Sequence, residues 1–256
     1  MLLSVIIPAY NERHTLGIIL GVVARALPGV SKEIVVVDDS SRDGTREWLK
    51  ANFPDGIRSG SSIDLDGDGN VVFAPEEGAS TVTVRAIFHE RNRGKGGALQ
   101  TGFAAVSGGV VIIQDADLEY DPNDWETMYN LIAVRKVADV VYGSRFYGRP
   151  HRSLYYHHYL ANRLISVLFN LVFNQTLTDI ETCYKMMTGD VARSLRLTAN
   201  DFGIEVEMSA EIARRRTLRI YELGISYYGR TYAEGKKINW KDGLKALWYV
   251  FKYRFR

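Results

Sequence analysis

Residues 110–119 read Val110-Val111-Ile112-Ile113-Gln114-Asp115-Ala116-Asp117-Leu118-Glu119. An unbroken β-branched run that passes at once into a polar, acidic turn describes a strand covered on both faces and ending at an open edge. The same pattern recurs along the chain. Residues 3–7 precede Pro8-Ala9-Tyr10-Asn11-Glu12, residues 33–37 precede Asp38-Asp39, residues 84–88 precede His89, and residues 139–142 precede Gly143. Helical spacing separates these runs, so the expected class is α/β, a mostly parallel central sheet wound by crossover helices. Ligands of such sheets sit beyond the carboxyl ends of the strands, which singles out residues 8–12, 38–41, 89–97, 115–121 and 143–145.

Composition narrows the classes of function. The 256 residues are 46% hydrophobic and 24% charged, which excludes a disordered or collagen-like chain. This length suits one large domain with an appendage, set here as residues 1–230 followed by a basic segment at 231–256. Lys+Arg at 32 against Asp+Glu at 30 is too balanced for a broad nucleic-acid-binding face, so no nucleic-acid partner is expected. The single cysteine, Cys183, excludes an internal disulfide framework. The opening residues MLLSVIIPAYNE lack a basic leader and read as a strand rather than a signal peptide.

Three segments stand apart. Residues 57–83, rich in Gly, Ser and Asp, read as an inserted hairpin with too few apolar residues for a core helix. Asp64, Asp66 and Asp68 resemble the start of a calcium loop, but Pro75 stands where the bidentate Glu would fall, which favours a turn. Residues 151–173 are the most apolar long stretch, yet Arg152, His157, His158, Asn162 and Arg163 argue against a bilayer span. A helix lying in the membrane interface and a core or homodimer helix are both open readings. From Arg230 onward there are eight Lys/Arg and two Asp/Glu, and Leu244, Leu247, Trp248 and Phe251 share one helical side. That segment reads as a membrane-surface helix or an ordinary packed one.

The strongest chemical signal is Asp115-Ala116-Asp117 with Glu119. Carboxylates spaced this way at a strand end can share Mg²⁺ or Mn²⁺, and the cation can neutralise a diphosphate; they can equally cap the helix that starts near Pro122. Asp38 and Asp39 can accept hydrogen bonds from a base or a ribose, or cap the next helix. His89 ends a strand and reads as a polar rim residue rather than a ligand. The first strand is not followed by Gly-x-Gly-x-x-Gly, which argues against a Rossmann oxidoreductase. Gly94-Lys95-Gly96-Gly97 lacks the rest of a phosphate-binding P-loop, so its glycines either permit close packing or free backbone N–H groups for phosphate.

Taken in order, Pro8-Ala9-Tyr10-Asn11-Glu12, the Asp38-Asp39 strand end, Asn92-Arg93-Gly94-Lys95-Gly96-Gly97 and Gln114-Asp115-Ala116-Asp117-Leu118-Glu119 resemble family 2 glycosyltransferases of the GT-A fold. Within that family the chain is most similar to the dolichyl-phosphate mannose synthase-like group. Further matches are Gly143-Ser144-Arg145-Phe146, Leu177-Thr178-Asp179, Glu181-Thr182-Cys183-Tyr184-Lys185, Phe202-Gly203-Ile204-Glu205-Val206-Glu207 and the stretch from Gly229 to Lys237. Only the region around residues 57–83 departs as an extra insert, with consequences for the mouth of the site rather than its floor.

The resemblance implies that Pro8, Tyr10, Glu12 and Ala116 border the donor nucleotide, with Asp39 reading the base and Asp38 placing it. It implies that Asp115, Asp117 and Glu119 serve the metal and the sugar diphosphate, Asp117 and Glu119 being the direct ligands of a divalent cation, Mg²⁺ or Mn²⁺. Glu119 stands where a Gln is common, and its extra charge should strengthen cation binding. Arg145, Arg230 and Lys236 or Lys237 match positions that hold donor or acceptor phosphate.

The implied reaction is an inverting transfer of a hexose from GDP- or UDP-sugar to a polyprenyl phosphate, at the cytoplasmic face of a membrane to which the protein attaches peripherally. A sugar-hydroxyl acceptor would need a general base, with Asp179 or Glu205 as the candidate; a polyprenyl phosphate is already an anion and needs none. Two other readings stand beside it, a glycosyltransferase acting on a saccharide and a non-catalytic nucleotide-sugar-binding protein.

Overall fold

The Val- and Ile-rich runs line up as the middle of one eight-stranded sheet. The computed structural model describes residues 1–75, 80–153, 155–231 and 240–255. In chain order the elements are β1 (Leu3–Ala9), α1 (Leu16–Arg25), β2 (Lys32–Asp38), α2 (Thr45–Asn52), β3 (Ile57–Gly60), β4 (Ile63–Leu65), β5 (Val71–Phe73), β6 (Val82–Phe88) and α3 (Gly94–Ala105). There follow β7 (Val110–Ile113), α4 (Trp125–Tyr129), β8 (Val140–Ser144), α5 (Tyr156–Phe173), β9 (Lys185–Thr188), α6 (Gly189–Ser194), α7 (Ile204–Ala213), β10 (Ile220–Gly224) and α8 (Trp240–Arg254).

The large sheet has the order β10-β8-β9-β7-β1-β2-β6-β3. β7, β1, β2 and β6 are mutually parallel, as are β10 and β8, while β3 and β9 run antiparallel to their neighbours. Val35, Val36, Val111 and Ile112 are at most 1% exposed, as strands covered on both faces require. α1 contributes Leu16, Ile19, Leu20 and Val23, one stripe at helical spacing, and all four are buried. The carboxyl ends of β1, β2, β6, β7 and β8 therefore share one edge. β9 enters the sheet from that edge, with Met186 opposite Ile112, so the loop before it opens there too.

The interrupting region is more integrated than a surface hairpin. β3 extends the main sheet beside β6, and only β4 and β5 form a separate two-stranded ribbon. Ile63 and Val71 are buried, and Asn52 Oδ1 accepts from the Val71 N–H at 2.6 Å. Asp66 Oδ1 accepts from the N–H groups of Asp68 (2.9 Å) and Asn70 (2.8 Å), which makes the acidic segment a side-chain-stabilised turn.

α5 packs against α8, and α8 also packs against α7. α8 buries Ala246, Val250 and Tyr253, while on the side that carries Leu247, Trp248 and Phe251 the last two are exposed. The side chains of Lys241 and Leu244 lie outside the described residues. α5 exposes Tyr156, Leu160, Leu164, Val167 and Leu171, a stripe at helical spacing. No helix among the described residues is long and apolar enough to cross a membrane.

Lys32 opens β2 while buried, and its Nζ donates to the carbonyls of Ala24 (3.3 Å), Leu27 (3.3 Å) and Val30 (3.0 Å). Burial lowers its pKa to about 8. Between pH 8 and 10.5 the unfolded chain therefore holds a proton that the folded chain has lost, and this residue's contribution to stability rises with pH. Relative to Lys32→Met, wild type should gain up to about 3 kcal/mol over that interval, read from denaturant unfolding at pH 7.5 and 10.5. A constant difference between the two proteins would contradict the burial assignment.

Candidate active site

At the shared strand edge the loops enclose a cleft of about 320 Å³. Its centre is the end of β7. Leu118 adopts a left-handed conformation, φ 62°, which a non-glycine residue reaches only at a cost and which folds Glu119 back towards Asp117. The Glu119 N–H donates to Asp117 Oδ1 at 3.2 Å. Helix capping, the alternative use of this motif, falls instead to Asp121, whose side chain accepts from the Asn123 N–H at 3.0 Å.

Both carboxylates turn to one positive group. Arg230 approaches Asp117 Oδ2 at 2.6 Å and Glu119 Oε1 at 2.8 Å, and its backbone N–H reaches the same Glu119 oxygen at 3.1 Å. Tyr227 donates its hydroxyl to Glu119 Oε2 at 2.7 Å. Burial, then the Asp115 and Glu119 charges, push the Asp117 carboxyl up to about 7 against the pull of Arg230. The guanidinium thus stands where a cation is electrostatically required. No cluster of three or more His, Cys, Asp or Glu ligands occurs among the described residues. Two hard carboxylates suit Mg²⁺ or Mn²⁺, which commonly bind one or two of them and complete their shell with water and substrate phosphate; the residues fit the ion.

On the β1–β2 side the cleft is lined by Pro8, Ala9, Tyr10, Glu12 and Asp39. Asp39 accepts from His89 Nδ1 (2.7 Å), the Arg93 N–H (2.8 Å) and the Gly94 N–H (2.7 Å), so it ties β2 to the start of α3. His89 is buried between Asp39 and Thr101 rather than standing at the rim, because Asp39 gives its ring a polar partner inside. The glycines of the α3 loop serve close packing. Gly96 donates to the Asn200 carbonyl at 2.8 Å, and a Cβ at Gly96 would lie 2.1 Å from the Ala199 carbonyl oxygen.

The opposite wall is an ion-pair chain. Lys95 Nζ lies 3.0 Å from Asp115 Oδ1 and 3.2 Å from Glu205 Oε1, and Lys185 Nζ reaches Glu205 Oε2 at 2.5 Å. Lys185 also donates to the Thr182 carbonyl. Glu181 and Cys183 line the cleft beside this chain.

The expected residues divide. Asp115, Ala116, Asp117, Glu119, Arg145, Glu205 and Arg230 all line the cleft with Pro8, Tyr10, Glu12 and Asp39. Asp38 does not; it is enclosed, with Oδ2 2.6 Å from Arg46 Nε and Oδ1 accepting from the Ser41 N–H at 3.3 Å. Asp179, with Glu205 the candidate base for a sugar-hydroxyl acceptor, lies behind the cleft wall. It is fully enclosed, absent from the cleft wall, and both its oxygens accept from Arg145, at 2.7 Å from Nε and 2.8 Å from a terminal nitrogen. In this arrangement it holds Arg145. Lys236 and Lys237 lie outside the described residues.

Residue-type reasoning passed over Lys95, Glu181 and Lys185. The signal for Lys95 was its place inside a glycine-rich turn at a strand end; Glu181 and Lys185 lie in a loop and a strand start with no local pattern.

The chain matches the family model described as Glycosyl transferase family 2 over residues 4–60 and 73–196. The unmatched stretch between them is close to the β4–β5 ribbon, and none of it lines the cleft. Among curated proteins it is 28% identical over 243 residues to the dolichol-phosphate mannosyltransferase of Pyrococcus furiosus, covering 93% of this chain and 61% of that one. It is 28% identical over 241 residues to the undecaprenyl-phosphate mannosyltransferase of Micrococcus luteus, covering 90% and 85%. Among solved structures it superposes on the Mycobacterium tuberculosis glucosyl-3-phosphoglycerate synthase in complex with Mn²⁺, UDP and phosphoglyceric acid, with a TM-score of 0.67, 17% identity, and coverage of 98% of this chain and 78% of that one. At that identity the likeness is one of fold, an α/β GT-A architecture.

Proposed function

The chain belongs to glycosyl transferase family 2, and on that footing we propose that it transfers a hexosyl group from a nucleoside diphosphate sugar to a polyprenyl phosphate with inversion. The observation that carries this reading is the convergence of Asp117 and Glu119 on the Arg230 charge at the end of β7. A divalent ion bound by Asp117 and Glu119 would act as a Lewis acid on the departing diphosphate. Arg230 is close enough to share the phosphate charge once its carboxylate partners take a cation. Pro8, Tyr10, Glu12 and Asp39 would border the nucleoside, and Ala116 leaves room beside it.

The acceptor assignment follows from the state of the carboxylates. Asp179 is taken up by Arg145, and Glu205 is flanked by Lys95 and Lys185. Neither is an open base, whereas a phosphate monoester, with a second pKa of about 6, is already an anion near neutral pH. The acceptor's requirement is then positive charge, and Arg145 lines the cleft. The printed names of the relatives support the same acceptor class.

Peripheral membrane attachment belongs to this proposal. Phe146, next to Arg145, packs its ring on Tyr159 of α5 at 5.1 Å, and a Cβ at Gly203, next to Phe202 of the cleft, would meet the Tyr249 ring of α8. α5 and α8 thus pack beside residues that adjoin the cleft, and on this reading their exposed apolar side chains would meet the membrane that carries a lipid-linked acceptor.

The test supplies UDP-glucose, GDP-mannose and other sugar nucleotides, with Mg²⁺ or Mn²⁺, to the protein and vesicles carrying a polyprenyl phosphate. Lipid-linked sugar and salt-sensitive vesicle binding are expected. Transfer only to soluble saccharides would reject the acceptor, and no transfer or donor hydrolysis with any sugar nucleotide would reject the reaction.

A further inference from the structure

We propose that Glu181 reads the sugar of the donor, exchanging hydrogen bonds with a neutral hydroxyl at the β9 side of the cleft; this rests on the donor-site reading above. The topology sets the position. In the order β9-β7-β1-β2 the diphosphate-holding end of β7 lies between the nucleoside side, over β1 and β2, and the loop that precedes β9. A nucleoside diphosphate sugar laid across that edge carries its sugar to the β9 side, where Glu181, Cys183 and Glu205 line the wall.

Among the described residues Glu181 makes no ion pair, whereas Asp115 and Glu205 each lie beside Lys95; Glu205 Oε1 also lacks a hydrogen bond but stands 3.2 Å from Lys95 Nζ. Glu181 Oε1 is buried without a hydrogen bond. The charged groups facing it are Glu205 from α7, Lys185 from β9, Arg145 from the end of β8 and Asp179 from its own loop. Arg145 is spent on Asp179, while Lys185 is spent on Glu205 and the Thr182 carbonyl. Among the described residues no cation remains for Glu181. A buried polar atom without a partner costs about 1–3 kcal/mol, and such atoms in a cleft wall mark places completed by a ligand.

The ligand's chemistry follows from the same neighbours. Burial, then the Glu205 charge, push the Glu181 carboxyl up to about 7, so near neutrality it is available both as a hydrogen-bond donor and as an acceptor. A hydroxyl can answer both roles. A sugar ammonium would instead have to share the wall with Lys95, Lys185 and Arg145.

The test uses the full chain, wild type against Glu181→Ala and Glu181→Gln, with UDP, GDP, UDP-glucose and GDP-mannose as probes, in calorimetric titration with Mg²⁺ and in transfer assays. For whichever nucleotide wild type binds, Glu181→Ala should lower sugar-nucleotide affinity by about tenfold or more, while the affinity for the nucleoside diphosphate alone stays within about twofold, and Gln should lose distinctly less than Ala. Equal losses for nucleotide and sugar nucleotide would make Glu181 a structural residue and overturn the proposal, as would no loss for either. Gln failing as badly as Ala would overturn the hydroxyl in favour of a charged partner. Wild type binding none of the four probes would overturn the donor-site reading itself, a result separable from all the others because it needs no variant.

Discussion

Asp117→Ala is expected to reduce sugar transfer by about 10³-fold or more while the protein stays folded. Asp117 and Glu119 converge on Arg230, and on the proposed reading losing one removes half the negative charge that would hold the cation. The stability side of the prediction has a definite sign. The Asp117 carboxyl is raised to about 7 in the folded protein by burial, Asp115 and Glu119, so folding is favoured while the group is protonated, and that advantage is lost as pH rises towards 7. Above pH 7 the variant sheds a buried, repelled charge, and Glu119 still holds Arg230. Its unfolding midpoint at pH 8 should therefore equal or exceed that of wild type. Mn²⁺ binding followed by electron paramagnetic resonance, with nucleoside diphosphate present, should weaken together with turnover. Turnover that survives the substitution would remove the basis for assigning the cleft to a sugar-diphosphate reaction.

Lys95→Met is expected to be the most destabilising of the site substitutions, by about 3–5 kcal/mol, because it leaves the largely buried Asp115 carboxylate without its ion-pair partner. Lys95 Nζ lies between Asp115 at 3.0 Å and Glu205 at 3.2 Å, with its side chain only 16% exposed. Burial opposes its charge, yet the Asp115 and Glu205 carboxylates overcome that and hold its pKa well above the ordinary lysine value. Without it, Glu205 keeps Lys185 but Asp115 loses its ion-pair partner. For a chain of this size the melting midpoint should fall by roughly 6–20 °C. Adding Asp115→Asn to Lys95→Met should recover part of the loss, since the stranded charge is then gone. A cost under about 1 kcal/mol for Lys95→Met, or strict additivity in the double variant, would show that the ion-pair chain is solvated and carries no such energy.

Much of this molecule is legible locally. The strand runs and the acidic turns that end them are written in consecutive residues, because a β-strand buried on both faces needs an unbroken apolar run and its exit needs polar groups. That rule singled out the segments at residues 8–12, 38–41 and 115–121, and Pro8, Tyr10, Glu12, Asp39, Asp115, Asp117 and Glu119 from those segments all line the cleft; the nucleotide and metal roles came from the family resemblance. The reading failed where a residue's neighbours come from distant parts of the chain. The sequence could not show that Arg145 takes both oxygens of Asp179, and His89 looked like a rim residue until Asp39 and Thr101 took both its nitrogens. The hairpin expected within residues 57–83 is present as β4 and β5, but its link to the main sheet through β3 and the burial of Ile63 and Val71 depend on distant partners.

The order of apolar and acidic residues along the chain determined the α/β class and which strand ends bear carboxylates, because both depend on contacts within a few residues. Only the tertiary structure decided which charges meet: Arg230 on Asp117 and Glu119, Lys95 between Asp115 and Glu205, and Glu181 with no ion-pair partner among the described residues. Electrostatic pairing acts through space at a few ångströms, and partners more than a hundred positions apart in the chain acquire that distance only when the sheet has assembled.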